Sequence, residues 1–168
     1  MTVPEFSRVV PLSRLGPEPF RQEIAATAEE RRALAERFDL VSLARLTASV
    51  ELRRETGGTI LLTADFAAEF VQACVVTLDP VAGSVAARFS LRYGPAEAEP
   101  QSEGEDDPAF EPLAADAIEI GEAVAQEFSL SLPEFPRAPG VEIADMESGE
   151  GDEGPFAALG RLVRREPD

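Results

Sequence analysis

Histidine, lysine and tryptophan are all missing from this sequence of 168 residues, and cysteine occurs once, as Cys74. Without histidine, the commonest general base and metal ligand are gone, and no Ser-His or Cys-His nucleophile pair can form. One cysteine can close neither an intrachain disulfide nor a cysteine zinc site. Arginine, the only basic side chain, is too basic to serve as a base. The chain shows no P-loop, no GxGxxG and no HExxH. No apolar run approaches the roughly 18 residues of a membrane-spanning helix. The opening MTVPEFSRVVPL lacks the charged region and apolar core of a signal peptide. These absences predict a cytoplasmic protein that binds rather than catalyses, with no cofactor and no membrane partner. Carboxylates are plentiful, so paired-carboxylate or Mg²⁺ chemistry stays open.

Acids are what the chain has in excess: 32 against 15 arginines, a net charge of −17. The excess is local. Residues 1–54 carry a net +1, residues 55–93 a net −2, residues 94–154 a net −17 and residues 155–168 a net +1. Apolar residues make up 44% of the chain, enough for a core in a single domain spanning 1–168. The composition predicts an acidic flexible loop over 95–108 and an acidic flexible segment over 142–154, before a short C-terminal helix. Such blocks repel themselves and stay solvated. The alternative reading is a dock for a basic partner or a nucleic-acid mimic. Asp106 and Asp107 lack any EF-hand-like spacing, so they read as solvated acids rather than a metal site. Cys74 sits in an apolar stretch, which suits an inert buried thiol.

Local patterns predict an α+β fold: an antiparallel β-meander with a few short amphipathic helices. Phe6–Leu12 and Phe20–Ala26 read as strands. Thr27-Ala28-Glu29-Glu30 matches a capping box, so a helix should follow through Phe38, with Leu34 and Phe38 inward and Arg31, Arg32 and Arg37 outward. Leu46–Arg54 alternates with period two, Thr56-Gly57-Gly58 signals a hairpin turn, and Thr59–Phe66 is its return strand. A bend near Ala67-Ala68 should separate this strand from another running to Leu78. A turn over Asp79–Gly83 should follow, and then an alternating strand over Ser84–Tyr93. Phe110–Leu113 suits a short edge strand. Ala117–Ser129 reads as an amphipathic helix through Ile120, Val124 and Phe128, with Asp116 or Glu119 near its start. Pro133–Gly140 should be extended. In the C-terminal helix, Phe156, Leu159 and Val163 share one face.

For nucleic acid, the candidate phosphate contacts are Arg31, Arg32, Arg37, Arg53 and Arg54, with Arg45 nearby, because the guanidinium fork matches phosphate. No aromatic side chains interleave with them for base stacking. An ordinary solvated or ion-paired surface is the competing reading.

The stretches QACVVTLDPV (72–81), IEIGEAVAQEFSLSLPEFPRAPG (118–140) and PFAALGRLVRR (155–165), in that order around an acidic loop, resemble the YceD family of bacterial proteins. EFSR near the start and ERRALAERFDLVSLARLTA (30–48) are similar to its alphaproteobacterial branch. Many relatives carry Cys-x-Arg-Cys-Leu where this chain has Cys74-Val75-Val76-Thr77-Leu78. Cys74, Thr77, Leu78 and Pro80 are the family-motif positions here, with Val76 replacing the arginine and Thr77 the second cysteine. The further cysteines of many relatives near 133–140 are absent too, so a cysteine-held zinc is not available to this chain. The resemblance implies a role in accumulation or processing of 23S ribosomal RNA and in large-subunit assembly. The implied partners are 23S rRNA or a pre-50S particle. A basic ribosomal protein held by the acidic segment is the alternative.

Overall fold

The computed structural model describes residues 4–98, 107–113 and 115–141. The expected acidic segment over 142–154, the C-terminal helix, Asp106 and most of the loop over 95–108 lie outside the described residues.

The longest elements follow the period-two patterning. Strands β2 (Phe20–Ala25), β3 (Ser42–Arg54), β4 (Ile60–Ala73) and β5 (Pro80–Gly94) form an antiparallel meander in that order. On β3, Leu46, Ala48, Val50 and Leu52 are buried, and on β4 Ile60, Leu62, Ala64, Phe66, Ala68 and Phe70. The alternate residues face outward, so one face of the sheet carries the core and the other is open to water. Cross-strand ion pairs lie on the open face: Arg21 with Glu51 at 2.7 Å, Arg45 with Glu69 at 3.1 Å and Arg88 with Asp65 at 2.8 Å. In each pair the two residues are directly opposed in register. Gly57 and Gly58 turn the β3–β4 hairpin at φ 91° and 83°, a region that costs glycine little.

Three expectations about the sheet need correcting. β4 runs unbroken through Ala67-Ala68, because the buried alternation Ala64, Phe66, Ala68, Phe70 continues across that pair. The turn between β4 and β5 is Cys74–Asp79, not Asp79–Gly83, and β5 begins at Pro80 opposite Ala73. The edge strand β6 (Ala109–Pro112) is where the sequence suggested, but it runs parallel to β5, so the sheet is not a pure antiparallel meander.

The core face is covered by α1 (Ala28–Arg37) and α2 (Ile120–Leu130). Both capping-box bonds are made at the start of α1. The Glu30 amide donates to Thr27 Oγ1 at 3.3 Å, and the Thr27 amide donates to Glu30 Oε2 at 2.7 Å. The first expected strand shortens to β1 (Val9–Pro11), which pairs with β7 (Ala117–Glu119), three residues that the periodicity had assigned to α2. Glu119 stands at the N-cap of α2, but its side chain makes no capping bond. Its carboxylate instead accepts from Ser7 Oγ and the Arg8 amide, at 2.9 and 3.0 Å. Ile120, Val124 and Phe128 do face the core, where the Phe128 ring meets Phe38 and Phe70 edge-on at 5.9 and 5.7 Å. A Cβ at Gly121 would collide with the Phe6 carbonyl oxygen, so glycine lets the N-terminal segment cross α2 closely.

Candidate functional site

The arginines proposed for RNA do not form one patch. Arg31, Arg32 and Arg37 lie on α1, which precedes the start of β3. The Ala26 amide donates to the Leu46 carbonyl at 2.9 Å, which sets the start of α1 beside Leu46, and Arg53 lies seven residues further along β3, about 23 Å of strand. Three of the five are held internally. Arg37 donates to Glu122 Oε1 and Oε2 at 2.7 and 3.0 Å and to Glu5 Oε2 at 2.8 Å, and its guanidinium lies over the Phe38 ring at 5.2 Å. Arg54 donates to the carbonyls of Leu15 and Leu12 at 3.1 and 2.9 Å. Arg31 is half-buried and donates to the Ala26 carbonyl at 2.7 Å. Arg32 and Arg53 are exposed and have no ion-pair or hydrogen-bond partner among the described residues. Arg45 is engaged with Glu69.

A stronger internal clamp involves Arg8, which sequence reasoning passed over. Its guanidinium donates to both oxygens of Glu30, at 2.6 and 2.9 Å, and to the Ala25 carbonyl at 3.0 Å. The hydrogen bond to Arg8 holds the Glu30 carboxyl down to about 2, and the Thr27 amide adds to the effect. The capping glutamate thereby also ties the N-terminal segment to α1.

The family-motif positions cluster in the β4–β5 turn. Cys74 has no exposed surface. The Thr77 hydroxyl and the amides of Ala138, Thr77 and Val76 point hydrogen bonds at its sulfur and lower the thiol to about 6. Burial opposes this only weakly, because Val75 through Asp79 around it are exposed and the turn is thinly packed. The Ala138 amide lies 3.4 Å from Sγ, so the segment after α2 helps to build the cradle. Two more bonds hold that segment: Gln72 Nε2 donates to the Pro133 carbonyl at 3.1 Å, and the Val75 amide to the Pro136 carbonyl at 2.9 Å. Leu78 takes the left-handed conformation at φ 63°, and its amide donates to the Cys74 carbonyl at 2.9 Å.

Beside α2 lies a cleft of about 400 Å³ with Val9, Leu113, Ile118 and Ala123 among its apolar walls and Glu111 at its rim. Glu111 accepts from Tyr93, and burial and this carboxylate push the tyrosine upward. Burial, with the charge of Glu111, likewise raises Glu127. The cleft offers carboxylates but no nucleophile–base pair. Among the described residues, no group of three or more acidic or cysteine side chains could hold a metal ion.

The sequence matches the family model described as large ribosomal RNA subunit accumulation protein YceD over residues 62–162. That span begins two residues into β4 and contains the Cys74 turn, β5 and α2. No curated protein and no solved structure matches the chain. No described helix is long and apolar enough to cross a membrane.

Proposed function

We infer, because the chain belongs to the YceD family of large ribosomal RNA subunit accumulation proteins, that it is a non-enzymatic ribosome-biogenesis factor. It supports accumulation and processing of 23S rRNA and assembly of the large subunit by binding a pre-50S particle in the cytoplasm. The family match is the observation that carries this reading. The absence of histidine and lysine, with a single enclosed cysteine, supports binding over catalysis. Depletion of the protein tests the role: mature 23S rRNA falls while 16S rRNA holds, and an unchanged 23S level defeats it.

A second reading places the contact on protein rather than RNA. The specific observation in its favour is that Arg31, Arg37 and Arg54 are held by internal acceptors in a chain of net charge −17. Phosphate binding needs free cations in number, because each phosphate neutralised adds to affinity. Of the five candidate arginines, Arg32 and Arg53 are left for such contacts among the described residues. An acidic module that holds a basic ribosomal protein fits this charge.

A further inference from the structure

A strand at the edge of a sheet shows a row of unpaired N–H and C=O groups, and proteins guard such rows with charge, proline or a covering segment. The two edges of this sheet differ. β2 is short, follows Pro19 and bears Arg21 and Glu23, and its Ala25 carbonyl is taken by Arg8. β5 is the longest strand, and β6 pairs only with its end, from Leu91 to Gly94.

Backbone groups alternate sides along a strand. The Asp79 carbonyl accepts from the Cys74 amide, on the β4 side, and the Gly94 carbonyl accepts from the Leu113 amide, on the β6 side, each at 2.8 Å. Odd-numbered residues of β5 therefore bond to β4, and even-numbered ones point away from it. Ala82, Ser84, Ala86 and Arg88 have no backbone partner among the described residues. The core is thin along the same edge. α1 packs on β3 and α2 on β4. Phe66, Ala68 and Phe70 of β4 are buried, while Val81, Val85, Ala87 and Phe89 of β5 are only half-buried. A further strand beside β5 would satisfy the free backbone groups and cover these side chains together.

The composition of β5 points to what that strand is. A chain of net charge −17 repels its own copies, yet residues 80–96 contain no acid, the longest acid-free stretch in the sequence. The arginines within it are already paired, Arg88 with Asp65 and Arg92 with Glu55. The strand also matches itself. Antiparallel pairing about Ser84 sets Ser84 opposite its own copy and Ala82 opposite Ala86 on the water face. On the core face it sets Val81 opposite Ala87 and Gly83 opposite Val85. No charge meets a like charge. Pro80, which has no N–H to donate, falls opposite Arg88, and the copy's strand stops short of Leu91, where β6 takes over the edge. We propose that two copies of this chain pair through β5, antiparallel about a two-fold axis at Ser84, so that their two sheets become one. The interface is isologous, with the same strand on both sides.

Sedimentation equilibrium of the full chain tests this, and a concentration-dependent dimer is expected. Ser84→Lys and Ser84→Glu should each weaken the dimer tenfold or more, because each sets like charges directly opposite. An equimolar mixture of the two should restore it, since lysine then faces glutamate. Both variants should keep the parent's melting temperature when dilute, because the side chain at 84 lies on the water face. Ala86→Pro, which removes an N–H pointing away from β4, should give a folded monomer. In hydrogen exchange, the amides of Ala82, Ser84, Ala86 and Arg88 should be fast in the dilute monomer and slow in the dimer. The proposal is overturned if the parent stays monomeric up to about 1 mM. It is equally overturned if the charge variants and Ala86→Pro dimerise as the parent does, or if the mixture stays monomeric. Slow exchange of the four amides in the monomer overturns it too, since another part of the chain then covers the edge. None of these measurements involves ribosomal RNA, so their result stands apart from the role proposed above.

Discussion

At the scale of the residue, arginine is the only cation available, and its neighbours decide what each copy can do. Arg37 carries the contacts of Glu5, Glu122 and Phe38. Arg37→Ala should therefore cost about 2 kcal/mol in urea unfolding, the usual scale of hydrogen bonds to charged groups. Arg32→Ala and Arg53→Ala should each stay within about 0.5 kcal/mol. Acid should loosen the Arg8 clamp. The Glu30 carboxyl is held at about 2, below its unfolded value, so its contribution is fully present above the ordinary carboxylate range and is lost as pH falls toward 2. Urea midpoints measured across that window should slope less in Glu30→Gln than in the parent. Cys74 titrates in the same sense at higher pH. Its folded thiol is lowered to about 6, so the stabilisation is present above the unfolded thiol range and fades as pH falls through 6. Thiolate absorbance should rise with a midpoint near 6 in the parent and higher in Thr77→Val, whose lost hydroxyl is the largest cause of the shift.

At the scale of the element, the α1 capping box predicts that Thr27→Ala costs about 1 kcal/mol in thermal or urea unfolding. Gly121→Ala should cost more, about 1–3 kcal/mol, because the new methyl meets the Phe6 backbone rather than a movable side chain. Elements with local signatures were legible in the sequence: the alternation of β3 and β5, the Thr27 box and the glycine pair at 57–58. What local pattern misses is set by distant partners or by unusual turn chemistry. The β4–β5 turn is built of Cys74, two valines, Thr77 and Leu78 rather than glycine or asparagine, so it read as strand. Ala117-Ile118-Glu119 fits helix and strand alike, and β1, more than a hundred residues earlier, selects strand. The arginine face of α1 was legible, but the acceptors that take up Arg37 come from 32 and 85 residues away.

At the scale of the molecule, a folded α+β body presents a water-facing sheet of paired charges on one side. The acid excess falls in the sequence between β5 and the C-terminal arginines. A net charge of −17 predicts weak nonspecific affinity for RNA at physiological salt. Gel shifts of unrelated RNA should therefore show little retention. The family membership predicts an effect on one ribosomal RNA and not the other. The most direct test is to deplete the protein from its own cells and quantify mature 23S and 16S rRNA together. Mature 23S rRNA is expected to fall, with precursor accumulating, while 16S rRNA is unchanged. A 23S level equal to that of undepleted cells, or an equal fall in both RNAs, would contradict it.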